Sequence, residues 1–181
     1  MPKHILVTGP SRSGKSEWAE TLANKVSKPV IYVATAQENP DDPEWQQRIE
    51  KHLLRRPSHW QTLSVPHDLS ITIEQAKPPS CLLVDSLGTW VANELEQDEE
   101  SWQAIASQLL TTVQKASVDL IFVAEETGWG VVPAYPLGRL FRDRLGHLTR
   151  QLGTIVDTTY LVTGGHVLNL SLLGEPLTNI E

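Results

Sequence analysis

His4-Ile5-Leu6-Val7-Thr8-Gly9-Pro10-Ser11-Arg12-Ser13-Gly14-Lys15-Ser16 joins a short apolar run to a glycine-bounded loop and then to a stretch of helical character. Gly9, Gly14, Lys15 and Ser16 meet every fixed position of G-x-x-x-x-G-K-[ST], and the loop falls where that pattern needs it, after a strand and before a helix. The glycines let the backbone curl until successive N–H groups face phosphate oxygens, and the helix start adds its partial positive charge. Gly9, Pro10, Ser11, Arg12, Ser13, Gly14, Lys15 and Ser16 are therefore read as a triphosphate cradle. Lys15 reaches the β- and γ-phosphates, and the Ser16 hydroxyl takes a place on Mg²⁺. A glycine-serine turn with an incidental lysine is the competing reading, and the flanking strand and helix argue against it.

Further along, branched apolar runs at 30–34, 81–85, 118–124 and 155–162 read with 4–8 as strands, each followed by a longer helix-like segment. Near-continuous apolar strands mean a sheet covered on both faces, so the expected fold is α/β and P-loop NTPase-like, with a mostly parallel central sheet between helices. Helices are predicted at 14–26, 43–54, 69–76, 97–116 and 137–152. A closing strand at 167–172 follows Gly164-Gly165, which suits a tight turn and an antiparallel hairpin at the carboxyl-terminal edge. With 181 residues, 40% hydrophobic and 20% charged, one domain spanning 1–181 is expected.

A net charge of −7 argues against a broad nucleic-acid footprint. No apolar run is long enough for a signal peptide or a membrane span. Cys81, the lone cysteine, sits in an apolar run and reads as a small buried hydrophobe in a reducing, cytoplasmic setting.

Asp85 closes the third predicted strand. It is read as the second Mg²⁺ contact, on the expectation that this strand ends beside the loop; a helix N-cap is the alternative. His52 stands four residues after Arg48 and shortly before Arg55-Arg56, where guanidinium groups can offset the charge that develops when an imidazole nitrogen attacks an α-phosphate. A helix-surface histidine beside basic residues is more often merely solvated. The bare motifs leave open a small-metabolite kinase and a non-catalytic nucleotide-binding regulatory module.

The ordered motifs go further. The phosphate loop is followed by Tyr32-Val33-Ala34-Thr35-Ala36, then Arg48-Ile49 to His52, Arg56-Pro57 and Trp60, then Val84-Asp85-Ser86-Leu87 to Trp90 and Asn93. Glu126-Thr127-Gly128-Trp129-Gly130-Val131-Val132-Pro133 and Leu137-Gly138-Arg139 to Phe141-Arg142-Asp143 complete the series. Together they resemble the bifunctional cobinamide kinase / cobinamide-phosphate guanylyltransferase family of cobalamin assembly, across nearly the whole chain. The resemblance implies a P-loop enzyme, often homotrimeric, that phosphorylates adenosylcobinamide with ATP or GTP. It then transfers GMP from GTP to that phosphate through a guanylylated histidine. His52 and Lys15 become the catalytic residues, Ala34, Thr35 and Ala36 the nucleotide wall, and Arg56 and Pro57 part of the guanine-nucleotide site. Glu126 matches a family carboxylate that orients substrate or metal, or serves structure alone. The loop 128–133 is read either as a mobile cover for a flat ligand or as the seat of a buried tryptophan. Arg139, Arg142 and Asp143 are read as a solvated face or a contact between subunits.

Against the family pattern, Glu125 and Thr149 stand where asparagine is usual, Ser64 near a usual glutamate, His147 at a usual arginine and Gly88 at a usual threonine. The added charge at Glu125 and the lost one near Ser64 are expected to alter nucleotide choice or one half-reaction.

Overall fold

The computed structural model describes residues 1–37 and 56–177. The predicted helix 43–54 and His52 lie outside the described residues. Within them a seven-stranded sheet runs in the order β3-β2-β4-β5-β1-β6-β7. The strands are β1 (His4–Gly9), β2 (Val30–Ala34), β3 (Gln61–Ser64), β4 (Cys81–Asp85), β5 (Asp119–Glu125), β6 (Thr158–Thr163) and β7 (His166–Asn169). Every pairing is parallel except β6 with β7, which turn at Gly164 and Gly165, both at positive φ.

Alternation along the strands divides the core. Ile5, Val7, Tyr32, Cys81, Leu83 and Val123 pack with Ala19 and Ala23 of α1 (Lys15–Asn24). On the opposite face Leu6, Val33, Leu82, Val84 and Phe122 meet α2 (Leu69–Gln75), α3 (Leu87–Asn93), α4 (Glu99–Lys115) and α5 (Pro136–Ile155). Trp90 of α3 and Trp102 of α4 are both almost fully buried, their ring centroids 5.9 Å apart. Buried Arg144 of α5 ties this layer together by donating to Glu94 O at 3.0 Å and Gln97 O at 2.8 Å, just beyond α3.

Three expectations are corrected. β3 is a strand that the patterning did not show, because Gln61, Thr62 and Ser64 are exposed at the sheet edge and carry no apolar run. α3 was also missed, although Ser86 and Thr89 form a reciprocal capping box at its start. The closing strand ends at Asn169, whose side chain accepts from Leu172 N and starts a short helix, α6 (Leu170–Leu173).

Cys81 is fully buried. Burial, helped by the Asp119 carboxylate and opposed by Lys28, pushes its thiol up to about 12 from the ordinary 9.0. The unfolded thiol ionises near pH 9 while the native one stays protonated. Its contribution to stability is thus fully present below pH 9 and lost as pH rises toward about 12. In a series of urea titrations, Cys81→Ala should flatten part of the wild type's loss of stability above pH 9; an unchanged slope would exclude the thiol as its source.

Candidate active site

The loop after β1 is shaped by its backbone. Arg12 (φ 58°) and Gly14 (φ 94°) are left-handed, and Gly14 caps α1, its carbonyl accepting from Trp18 N at 2.9 Å. A Cβ at Gly9 would collide with the Val162 carbonyl of β6 and come within 2.7 Å of Ser13 Oγ. On its other side the Gly9 carbonyl accepts from Glu126 N at 2.8 Å. Lys15 is buried and its Nζ lies across the loop, 3.4 Å from Pro10 O, while Ser16 is half-buried on the first turn of α1. These positions bring the predicted cradle residues into one curl at the carboxyl end of β1, with the lysine amine inside it.

Asp85 ends β4, which is not hydrogen-bonded to the loop strand β1. β5 is inserted between them, with Gly9 in register with Glu125 and Asp85 in register with Val123. Alternation still helps: Cys81 and Leu83 pack beneath α1, so Asp85 points to the face that also carries Ser16. A carboxylate and a hydroxyl on that face are hard oxygen donors of the kind that Mg²⁺ takes alongside phosphate and water. Among the described residues no cluster of three or more His, Cys, Asp or Glu could hold a metal unaided. Tyr32, buried on β2, donates to Asp85 Oδ2 at 2.8 Å. The guanidinium of Arg56 lies over the Tyr32 ring, 3.2 Å from its centroid. Burial first and the Asp85 charge second push this phenol well above its usual range, so it is a neutral donor. Pro57, the next residue, accepts from the N–H of buried Trp60 at 3.0 Å.

The expected wall has a polar core. Thr35 is fully buried, and its hydroxyl donates to Ser86 O at 2.7 Å, accepts from Ser86 N at 2.9 Å and meets Thr89 Oγ1 at 2.7 Å. Asn93 Nδ2 donates to Thr35 O at 2.8 Å and Pro66 O at 2.9 Å. Thr35 therefore fastens the end of β2 to α3, while half-buried Ala34 and Ala36 flank it.

Two departures from the family pattern meet. Glu125 Oε2 accepts from Gly88 N at 2.9 Å, and a Cβ at residue 88 would fall on that carboxylate. Glu126 Oε1 accepts from Gly128 N at 2.7 Å, closing the start of the loop 128–133. Trp129 is 63% exposed, which excludes the buried-tryptophan reading. Arg139 donates to Pro133 O and Ala134 O, and Arg142 to Gly128 O, so these arginines fasten the loop to α5. The sequence reading missed Arg144, the glutamate-glycine contact and the role of Tyr32. The only advance signal was that Glu125 and Gly88 were both unusual.

A parallel sheet with a phosphate loop at the carboxyl end of β1 and a carboxylate across the inserted strand defines a P-loop nucleotide enzyme fold. Solved structures agree: an ATPase from a bacterial type III secretion system aligns with TM-score 0.55 at 15% identity, covering 94% of this chain and 53% of the ATPase. A Pyrococcus horikoshii protein aligns with TM-score 0.58 at 9% identity, covering 98% and 94%. The sequence model for cobinamide kinase / cobinamide phosphate guanyltransferase matches residues 5–170, and the chain belongs to that family. It is 39% identical to the bifunctional adenosylcobalamin biosynthesis protein CobP of Pseudomonas aeruginosa, over 95% of this chain and 98% of that one. Identity to the corresponding CobU protein of Salmonella typhimurium is 35%, over 89% and 96%.

The contact between residues 88 and 125 can be tested by itself. Gly88→Ala should destabilise the protein by about 1–3 kcal/mol, as overpacking does. In Glu125→Ala the same change should cost clearly less. Equal costs in both backgrounds, measured by urea unfolding, would show that the carboxylate does not occupy that space.

Proposed function

We propose that the chain phosphorylates adenosylcobinamide with ATP or GTP and then transfers GMP from GTP to the product, giving adenosylcobinamide-GDP. The observation that supports this best is the glycine-locked loop with Lys15 inside it, in a chain of this family. In the first step the terminal hydroxyl of the corrinoid arm attacks the γ-phosphorus. The bond to the β,γ-bridging oxygen breaks, the nucleoside diphosphate leaves, and the hydroxyl proton is lost to solvent or product. Lys15 and the loop amides stabilise charge on the transferring group. Mg²⁺, held by Ser16 and Asp85 with the phosphates, would supply further charge neutralisation.

In the second step an imidazole nitrogen of His52 attacks the α-phosphorus of GTP and pyrophosphate leaves. The cobinamide phosphate oxygen then attacks the same phosphorus and frees the imidazole. This role for His52 rests on the resemblance, as does that of Arg56 and Pro57 at the guanine nucleotide. A homotrimer acting in the cytoplasm completes the reading. No helix among the described residues is long and apolar enough to cross a membrane.

Incubation with GTP labelled at the α-phosphate should leave acid-labile, base-stable label on the wild type and none on His52→Ala. Undiminished label on that variant would exclude His52 as the acceptor, and no label on active wild-type protein would leave a small-metabolite kinase as the better reading. Lys15→Ala should slow phosphate transfer by about a hundredfold or more with the fold intact; unchanged turnover would remove Lys15 from the chemistry.

A further inference from the structure

Tyr32 has two polar relationships that no role assigned above uses. Its side chain is 2% exposed, in the middle of β2, with β3 on one side and β4 on the other. A strand hydrogen-bonded along both edges holds its side chains with little freedom. From this fixed base the hydroxyl reaches Asp85 Oδ2 at 2.8 Å, and the ring face carries Arg56 at 3.2 Å. The charged groups that bear on the phenol are Asp85, Arg56 and Glu20 of α1. Arg56 Nε is buried with no hydrogen-bond partner among the described residues, and the guanidinium lies against the ring face.

We propose that Tyr32 is a positioning residue shared by the two ends of the site, its hydroxyl setting the Asp85 carboxylate for the metal and its ring face setting Arg56 for the nucleotide. A carboxylate on a single-bond stem rotates freely unless an oxygen is held. The phenol O–H holds one oxygen and so fixes the plane of the other. A guanidinium stacked on a ring keeps its N–H donors in a plane parallel to that ring, directed outward at its rim. That orientation suits donation to phosphate or to a base edge. One rigid side chain thus sets the distance between a metal-side carboxylate and a nucleotide-side cation.

The two contacts come apart chemically, because phenylalanine keeps the ring and loses the hydroxyl, whereas leucine loses both. The hydroxyl half of the proposal rests on Asp85 being a metal ligand, so Asp85→Asn is included. Two equilibria are read: Mn²⁺ binding to the complex of protein with a non-hydrolysable GTP analogue, by electron paramagnetic resonance, and affinity for that analogue in excess chelator. Tyr32→Phe should weaken Mn²⁺ binding by about three- to tenfold, as expected for losing a hydrogen bond to a charged group. It should leave the metal-free affinity within about twofold of wild type, since the stack is retained. Tyr32→Leu should also weaken the metal-free affinity, by about three- to fivefold.

Leucine at a buried aromatic position can loosen the sheet, so Arg56→Ala provides an independent arm. It should reproduce the metal-free loss, and adding Tyr32→Leu to it should cause no further loss. Wild-type Mn²⁺ affinity in Tyr32→Phe, with Asp85→Asn impaired, would overturn the role of the hydroxyl. Additive metal-free losses in the double variant would overturn the role of the ring. If Asp85→Asn itself binds Mn²⁺ like the wild type, the metal reading of Asp85 fails first and takes the hydroxyl's role with it.

Discussion

The close approach of three backbone segments at Gly9 governs the rest of the site. The β6 carbonyl of Val162 presses on one side, the N–H of Glu126 bonds to the Gly9 carbonyl from the other, and Ser13 folds back over the same point. The Val162 carbonyl leaves no room for a side chain at residue 9. Because it and the Glu126 N–H lie outside the loop, the curl is held by the sheet as well as by the loop itself. A cradle built in this way has its amides oriented before any phosphate arrives, so little ordering entropy remains to be lost on binding. The left-handed Arg12 and Gly14 then hand the chain to α1, whose first residue, Lys15, is buried.

A second support holds the other side of the site. Thr35, Ser86, Thr89 and Asn93 satisfy one another's buried polar atoms without help from a ligand. Networks of this kind stiffen because each member, if displaced, strands a buried partner. Here the network ties the end of β2 to the start of α3, between residues 34–36 and Asp85. Its position explains why a wall residue has its hydroxyl turned inward: what Thr35 contributes is the placement of its neighbours.

Much of this was legible in sequence, and what was not has definite causes. β1, β2, β4 and β5 could be read because each is apolar on both faces, as a strand between two helical layers must be. The edge strand β3 has no such need, and its polar residues hid it. α3 carries a sound signal in Ser86, Thr89 and the spacing of Leu87, Trp90 and Val91, but its seven residues left little periodicity to detect. The phosphate loop was plain because its chemistry is local. Asp85 could be read as the end of a strand, but nothing in a linear pattern says that β5 enters between β4 and β1. The uses of Tyr32 and Arg144 were invisible for the same reason: their partners lie 53 and about 50 residues away, and each residue type is unremarkable alone.

Glu125 is the register partner of Gly9 at the start of the loop. Its carboxylate is instead drawn toward α3, where Gly88 N donates to it. An amide at the first turn of a helix is among the better places for a negative charge. The same glycine opens the space, and any side chain at residue 88 would meet that carboxylate. The charge near the loop is therefore partly compensated where it stands. Ser64 is a separate matter: it pairs with Ala34 at the sheet edge, so a carboxylate missing there bears on the end of β2 and not on α3.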